Sequence, residues 1–476
     1  MTHRISSAVR SRRGPTSGAR VLWGWGGIVL VLVLALVPHR ASPAGELPLP
    51  DAPPLRVAVL PFTGQAPSAE YGFILSQALR DGLAQLRAVT VVPGHQIDAG
   101  ADRLGIRLDG EPTDEQLLAL GRALRVRAVL GGTYGATSEG VRVRPWIADL
   151  AGEGEVVRGE AITTPTDTYL AAPQRILAEM LLRLDRRLTA WERQRIQRLF
   201  GDEPTAPEQY ARYAQAVWAE ERDTPEGHAR ALALLNQAVA ADPNFALGHL
   251  ALARILGVAS RWTAIREVRT ALAITPDLAG ANRLLGDLLM AAPDRPYDMA
   301  MQAYQAALVT APDDLDARIG LAGARLGKGD VDGAMQVYRT AIAVEPRNAR
   351  VHYGLGKLYY DEKGWYEKAV AELRQATALD PDLLDAWVSL GDIYEEKGLH
   401  EEAIVRYQHV LAVAPHHPGA TYNLALTYEK VNVSQAIEAW TRYIAWAEQA
   451  PAEQEWVGIA RKHLARLLRG ETPPAR

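Results

Sequence analysis

The sequence predicts a multidomain protein with an N-terminal transmembrane helix, a small α/β domain of order βαβαβββα and an all-α solenoid. Three observations support this fold class. Residues 21–37 are apolar and uncharged. Residues 55–200 alternate between strand-like apolar runs and segments with helical periodicity. Between residues 243 and 415, prolines recur at intervals of 33 to 36 residues.

The N-terminal segment has the charge pattern of a membrane anchor. Residues 1–20 contain five arginines and no acidic residue, and the seventeen apolar residues that follow approach the length of a spanning helix. The arginine excess predicts a cytoplasmic tail at 1–20, a transmembrane or signal segment at 21–37 and an exported body on the periplasmic side. The proline-rich residues 38–54 are expected to form a linker. Cleavage near Ala44, which would release the body as a secreted or periplasmic protein, is the alternative that we favour less.

Composition excludes several classes of site. The chain has no cysteine, which rules out disulfides, thiolate metal sites and a cysteine nucleophile. The formal net charge is −4 although residues 1–20 carry +5, so the rest of the chain is acidic. An acidic body argues against a nucleic-acid partner, which would need a basic face.

The α/β domain is predicted from five strand-like runs and three helices. The predicted strands cover residues 56–62, 88–94, 127–136, 141–150 and 155–164, and the predicted helices cover 71–86, 114–124 and 173–200. We expect the residues between Gly94 and Pro112 to form a solvated acidic loop rather than an active site around His95.

Residues 55–190 resemble the TolB-like amino-terminal domain. The runs AVLPF, VTVVP, VLGG and VRVRPWIADL carry the resemblance, which we extend to a domain of residues 55–200 with a long connecting helix. The resemblance implies a non-catalytic domain that often precedes helical repeats in envelope and signalling proteins.

The second half of the chain is repetitive. Alanine stands twelve residues before each of the six recurring prolines, and a leucine, valine or tyrosine stands eight residues before it. Alanine lets two helices approach closely, the larger side chain fills the neighbouring groove, and proline ends the second helix of each pair. The six prolines are Pro243, Pro276, Pro312, Pro346, Pro381 and Pro415.

The segment WVSLGDIY at residues 387–394 has the spacing W-x-x-L-G-x-x-Y, and residues 282–289, 352–359 and 421–428 repeat it with substitutions. These patterns resemble the tetratricopeptide repeat (TPR). The resemblance implies seven repeats over residues 207–446, and residues 451–469 are expected to form a C-terminal capping helix.

The TPR resemblance implies a concave groove that binds a protein or peptide. The family's carboxylate-clamp pattern of repeated lysine and asparagine is absent, so an acidic C-terminus is not implied as the ligand. Asn423 is the leading candidate, because an amide both donates to and accepts from a bound backbone. The candidate partner-binding residues are Arg350, Tyr353, Lys357, Asp385, Asp392, Glu395, Tyr422, Asn423 and Glu429.

Residues 395–418 contain four histidines and four glutamates. His400 and His409 are nine residues apart and therefore on opposite sides of a helix, and His416 and His417 lie beyond the helix end at Pro415. Metal ligands on a helix need two imidazoles on one face. We therefore expect no metal and no cofactor.

The function predicted from these features is a membrane-tethered, exported TPR scaffold in a bacterial envelope complex. One alternative is a ligand sensor that uses the α/β domain, and another is an accessory subunit of an envelope enzyme. We do not expect the chain to be an enzyme, since about 30 residues follow the last repeat and residues 55–190 show no convincing catalytic group.

Overall fold

The computed structural model describes residues 55–65, 70–86, 89–108, 110–165, 171–184, 192–194, 196–197, 207–221, 224–257 and 259–471. Every described residue belongs to one compact unit, Leu47–Arg476.

The predicted membrane helix has no support in the structure. Residues 21–37 lie outside the described residues, as do the predicted tail 1–20 and linker 38–54. Among the described residues, no helix combines the length and apolar character needed to cross a bilayer. We therefore correct the fold class that included a transmembrane helix, and with it the predicted single-pass membrane location.

The α/β domain is built on a seven-stranded sheet of order β3-β1-β4-β5-β6, with β2 beside β4 and β7 beside β5. β1 is parallel to β3 and to β4, and β4 and β5 form a long antiparallel hairpin. The strands are β1 (Leu55–Val59), β2 (Thr63–Gln65), β3 (Val89–Val91), β4 (Ala128–Thr137), β5 (Gly140–Asp149), β6 (Glu155–Arg158) and β7 (Ile162–Thr164).

Helices cover both faces of the sheet because the side chains of β1 alternate between them. Val57 and Val59 pack in the cluster that contains α1 and α4, whereas Ala58 and Leu60 pack with α2 and α3. The helices are α1 (Glu70–Ala84), α2 (Gly94–Leu104), α3 (Asp114–Ala123) and α4 (Ala171–Arg183).

Two details differ from the sequence-based expectation, and a third lies partly outside the described residues. The predicted loop after Gly94 begins with α2, which buries Ile97 and Ala101. The predicted strand 155–164 is two strands that pair with different parts of β5. The helix predicted over 173–200 is described as α4 only, since most of the residues from 185 to 200 lie outside the described part.

Seven antiparallel helical pairs follow in the described part of the chain, and then a last helix packs on the seventh pair. The helices are α5 (Pro207–Glu220) with α6 (Pro225–Ala241), α7 (Ala246–Leu256) with α8 (Arg261–Ile274), α9 (Ala281–Met290) with α10 (Tyr297–Thr310), α11 (Leu315–Gly327) with α12 (Val331–Val344), α13 (Ala349–Asp361) with α14 (Tyr366–Leu379), α15 (Leu384–Glu396) with α16 (His400–Val413), α17 (Pro418–Val431) with α18 (Val433–Ala447), and α19 (Gln454–Leu468).

The repeated alanines form the close contacts between helices. The alanine near the start of each of the second helices α6 to α16 has no exposed surface. A larger side chain there would have to displace the backbone of the partner helix, because helix pairs of this kind are close-packed. These residues are Ala231, Ala264, Ala300, Ala334, Ala369 and Ala403.

In four of the first helices, a polar side chain forms a hydrogen bond that stabilises the turn between successive pairs. It donates a hydrogen bond to the carbonyl oxygen of the proline six residues earlier, which is one of the recurring prolines. His352 Nε2 lies 3.0 Å from the Pro346 oxygen, and Trp387 Nε1 lies 3.0 Å from the Pro381 oxygen. His249 and Arg318 make the equivalent bonds. The repeat therefore selects a long side chain with a donor at its tip rather than one residue type.

We expect His352→Ala to lower the free energy of unfolding by about 2 kcal/mol, because it removes a buried ring and two hydrogen bonds. The His352 side chain is 9% exposed, and its Nδ1 lies 2.7 Å from Glu372. Urea denaturation measures the change. His228→Ala is the control, since the His228 side chain is 49% exposed beside Glu220 and its loss should cost less than about 0.5 kcal/mol. Equal losses in the two variants would contradict the fastening role.

The α/β domain and the first helical pair share a buried polar junction. The carboxylate of Asp81 in α1 accepts hydrogen bonds from the hydroxyls of Tyr210 (2.6 Å) and Tyr213 (2.9 Å) in α5, and from the amide of Gln77 (2.7 Å). Asp81 is 7% exposed. Burial raises its pKa although these three hydrogen bonds act to lower it.

Candidate partner-binding groove

The first helices of the pairs line the inner side of the solenoid. Successive first helices contact one another directly, as in α5 with α7, α9 with α11, and α15 with α17. In the described part of the chain, successive second helices approach each other less closely. The stack therefore curves toward the first helices, whose exposed side chains form a concave groove.

Seven of the nine predicted site residues lie along this groove on α13, α15 and α17. Arg350 Nη1 lies 2.7 Å from Asp316 Oδ1 on α11, and Tyr353 lies near Ser389 on α15. These contacts connect one first helix to the next, which places the side chains on the shared inner surface. The seven are Arg350, Tyr353, Lys357, Asp385, Asp392, Glu395 and Asn423.

Asp392 is the centre of the most connected cluster in the groove. Its Oδ1 accepts from the Tyr407 hydroxyl at 2.6 Å and from the Asn423 amide at 2.7 Å. Burial, and then the carboxylate of Asp392, raise the pKa of the Tyr407 hydroxyl. Both donors are side chains of the same chain, so these two hydrogen bonds hold the Asp392 carboxylate in place in the groove.

The remaining groove residues form ion pairs. Lys357 Nζ lies 2.8 Å from Asp361, and Glu395 pairs with Lys430 of the next first helix. The Asp385 side chain is 67% exposed and lies 3.9 Å from His417, whose proximity holds the pKa of Asp385 below its ordinary value. Of these charged groove residues, Asp385 is the most exposed, whereas Lys357 and Glu395 are half-buried in their ion pairs.

Tyr422 and Glu429 are not groove residues, which corrects their assignment to the partner-binding set. Tyr422 is 7% exposed and packs edge-on against Trp440, with ring centroids 5.0 Å apart. Glu429 is 6% exposed and accepts from Trp440 Nε1 (2.7 Å) and His463 Nδ1 (2.7 Å). Both lie beneath α19, which covers the face that would otherwise continue the groove.

Three groove residues were missed from the sequence. The hydroxyls of Tyr360 and Tyr366 both donate to the carboxylate of Glu396, at 2.9 and 3.0 Å. Burial and the nearby carboxylates of Asp392 and Glu396 raise the pKa of Tyr360. The spacing could have indicated Tyr360, because it lies seven residues, or two helical turns, after Tyr353.

The histidines of residues 395–418 have separate structural surroundings. The His409 ring packs on Trp387 with centroids 4.3 Å apart, and His416 stacks on Trp446 at 5.7 Å. His417 caps α17 by accepting from the Ala420 amide. Within the described residues, no group of three or more metal-ligating side chains is placed to hold an ion.

Family models of the tetratricopeptide repeat match this part of the chain. One model, described as TPR repeat, matches residues 324–361 and 362–398, and another, described as tetratricopeptide repeat, matches residues 384–417. The matched residues extend from α11 to α16, and together they cover less than half of the chain.

Among curated proteins, the chain is similar to the protein CTR9 homolog of Arabidopsis thaliana, with 36% identity over 107 residues. That match covers 22% of this chain and about a tenth of the length of the relative.

Solved structures with related folds include PilW, a type IV pilus biogenesis factor, at 21% identity and a TM-score of 0.41, covering 45% of this chain and 98% of PilW. YrrB, a TPR protein with an unusual peptide-binding site, has 18% identity and a TM-score of 0.32, covering 40% of this chain and 96% of YrrB. The Cut9–Hcn1 complex has 16% identity and a TM-score of 0.42, covering 54% and 55% of the two chains. The repeated helical pairs and the family models together identify the C-terminal region of this chain as a solenoid of tetratricopeptide repeats.

Proposed function

We propose that the chain is a non-catalytic scaffold that holds a partner polypeptide in an extended form along the groove of α11, α13, α15 and α17. The observation that carries the proposal is the continuous row of polar side chains across these first helices. One concave surface therefore carries a cation, an anion and two neutral hydrogen-bonding groups. These are the side chains of Arg350, Asp385, Tyr353 and Asn423. Such a surface suits an extended peptide, whose backbone presents donors and acceptors along its length.

The test is selection of 12-residue peptides from a random bead library by the full-length chain. We expect enrichment of a sequence class and a loss of at least tenfold in binding for the variant Tyr353→Ala with Lys357→Ala. Val405→Ala is the matched control, because Val405 is 52% exposed on the second helix α16, away from the groove. Melting temperatures confirm that both variants are folded. Binding no stronger than that of an unrelated protein would refute the scaffold proposal.

A second candidate function is the sensing of a small anion by the α/β domain, which we propose to be a TolB-like domain. A cleft of about 420 Å³ is lined by Arg107 and Gln116, and an adjoining narrow cleft is lined by the loop after β1 and by Trp146. Strands β3 and β4 lie on opposite sides of β1, an arrangement at whose carboxyl edge α/β sheets bind ligands. Citrate or inorganic phosphate should then raise the melting temperature of the wild-type chain but not of Arg107→Ala.

A further inference from the structure

The helical pairs share a register in which equivalent positions can be compared. Each position of α11 and α12, for example, has its equivalent 69 residues later in α15 and α16. One position on the first helices lies eleven residues after the recurring proline, and in α13 and α15 it faces the groove. Register therefore places the residue at this position of α7 on the groove side as well. From α7 to α15, the residues at this position are Arg254, Asp287, Gly323, Lys357 and Asp392.

Most of the charged residues at this position are held by other side chains of the same chain. Asp287 accepts a hydrogen bond from the hydroxyl of Tyr304 at 2.8 Å. Lys357 Nζ lies 2.8 Å from Asp361, and Asp392 is held by the two hydrogen bonds described above. Their charges are thus already balanced or solvated by the protein.

Arg254 differs from these residues. Its side chain is exposed, and it forms no hydrogen bond and no ion pair with any residue that the structure describes. Other groove cations are neutralised by side-chain carboxylates: Arg283 Nε lies 3.2 Å from Asp314, and Arg350 Nη1 lies 2.7 Å from Asp316. Within the described groove, Arg254 is therefore a cation without its counter-ion.

The guanidinium of Arg254 lies in a corner between the α/β domain and the solenoid. Desolvation by the surrounding protein lowers the pKa of Arg254 and the charge of Arg283 on α9 acts in the same direction, whereas Tyr213 on α5 and Asp81 on α1 oppose them. Its Nη2 lies 3.1 Å from the place that a Cβ atom on Gly280, at the start of α9, would occupy. A side chain that is exposed and yet partly desolvated fits the floor of a concave surface.

Helix α1 forms the wall of this corner. It packs along α5, and just beyond its last residue Gln85 accepts a hydrogen bond from the backbone amide of Ala279 at 3.4 Å. Ala279 lies just before α9, so α1 reaches from the first helical pair to the third. A polypeptide that follows the groove from α17 toward α7 therefore meets α1 beside Arg254.

Asp81 is not the counter-ion of Arg254, although it lies near enough to act on its charge. The Asp81 carboxylate accepts from Tyr210, Tyr213 and Gln77, and it forms no ion pair with Arg254 in the described structure. Burial also raises the pKa of Asp81, which favours its neutral form. An arginine stays charged under all ordinary conditions, so the corner keeps an uncompensated positive charge.

We propose that the partner polypeptide supplies the counter-ion: an Asp or Glu side chain of the bound segment docks in the corner between α1, α7 and α9 and accepts hydrogen bonds from Arg254. A carboxylate can accept two parallel hydrogen bonds from a guanidinium. The inference rests on the proposed scaffold function, extends the groove from α11 to α7 and makes the α/β domain one wall of the anchoring site. A side chain is favoured over a chain terminus because side-chain carboxylates neutralise the other groove cations.

The experiment starts from the peptides that the full-length chain enriches in the bead selection. They are resynthesised with acetylated and amidated ends, and each Asp or Glu is replaced in turn by Asn or Gln. We expect one such replacement to weaken binding at least about tenfold, because a guanidinium binds a carboxylate more strongly than a neutral amide. Each peptide is also made with a free carboxyl terminus, which should bind no more tightly.

A double-mutant cycle assigns the effect to Arg254. Arg254→Gln should bind the parent peptide at least about tenfold more weakly and should no longer respond to the replacement of its acidic residue. Its melting temperature should be nearly unchanged, since the guanidinium has no partner in the described chain. Arg269→Gln is the matched control, because Arg269 is an exposed arginine on α8, the second helix of the same pair. It should keep both the affinity and the response.

Each outcome decides the inference. Enriched peptides without any Asp or Glu would overturn it and leave the scaffold proposal intact. An acidic residue whose replacement weakens binding equally in the wild type and in folded Arg254→Gln would do the same, as would binding that requires a free carboxyl terminus. Absence of peptide binding by the wild type overturns both proposals together.

Discussion

Replacing Asp81 with alanine is expected to lower the free energy of unfolding by about 3 kcal/mol and to loosen the junction between the α/β domain and the solenoid. The substitution removes the carboxylate that accepts from the hydroxyls of the buried Tyr210 and Tyr213 and from the amide of the half-buried Gln77. Each unsatisfied buried donor costs about 1–3 kcal/mol. Hydrogen exchange in α1 and α5, measured by mass spectrometry, should increase ahead of exchange in α13.

Asp81→Asn separates the role of the acceptor from that of the charge. Asparagine keeps one acceptor oxygen, and burial already disfavours the charged carboxylate. We therefore expect a loss below about 1 kcal/mol. A loss as large as that of the alanine variant would show that the negative charge itself holds the junction.

The pH dependence of the stability follows from the raised pKa of Asp81. The pKa of Asp81 is raised in the folded chain above its ordinary value of 3.8, so the folded state binds the proton more tightly than the unfolded state does. The wild type should therefore lose stability relative to Asp81→Asn as the pH rises above about 3.8. Denaturant midpoints of the two proteins at a series of pH values measure this difference.

Replacing Glu429 with alanine is expected to have the second large effect, about 3–5 kcal/mol. Its carboxylate accepts from Trp440, His463 and Arg466, and the substitution leaves the buried Trp440 Nε1 without this acceptor and the half-buried His463 and Arg466 without this carboxylate. Because His463 and Arg466 lie on α19, the capping helix should detach first. Proteolysis between α18 and α19 and hydrogen exchange in α19 report this detachment.

The control for this prediction is Glu448→Ala. It removes an exposed ion pair between Glu448, just after α18, and Arg461 on α19. That pair should be worth less than about 1 kcal/mol.

The stability that Glu429 contributes should also depend on pH. Burial acts to raise the pKa of Glu429, but the hydrogen bonds from His463 and Trp440 and the charges of His463 and Arg466 leave this pKa below its ordinary value of 4.5. Its contribution is therefore present above about pH 4.5 and lost as the pH falls below that value. A cap that stays attached in Glu429→Ala would contradict the prediction.

The helical pairs were predictable from the sequence because close packing leaves little choice at a few positions. Ala334, Ala369 and Ala403 are fully buried where two helices touch, and only a small residue fits there. The prolines mark the helix ends for an equally direct reason. Helix α2 was missed because four of its first six residues face solvent. Ile97 and Ala101 alone are too few apolar residues to show a helical period in the sequence.

The groove was predictable only in part. Periodicity places Tyr353, Asp392 and Asn423 on the inner face of a first helix, where the structure shows all three half-buried. The same reasoning failed for Tyr422 and Glu429, because the pattern of one pair does not reveal that the next helix in the chain folds over it. The packing of Tyr338 was also hidden, since its ring lies against Gly354 in the next helical pair.

The 69-residue equivalence between α11–α12 and α15–α16 has a consequence for how this chain can change in length. A segment that starts at Leu315 and stops before Leu384 begins and ends at equivalent positions of two helical pairs. Its duplication or deletion would preserve the register of every neighbouring helix, whereas removal of a segment of another length would not. Recombination between these two stretches of the gene would thus yield chains with two helical pairs more or two fewer, in the same helical order.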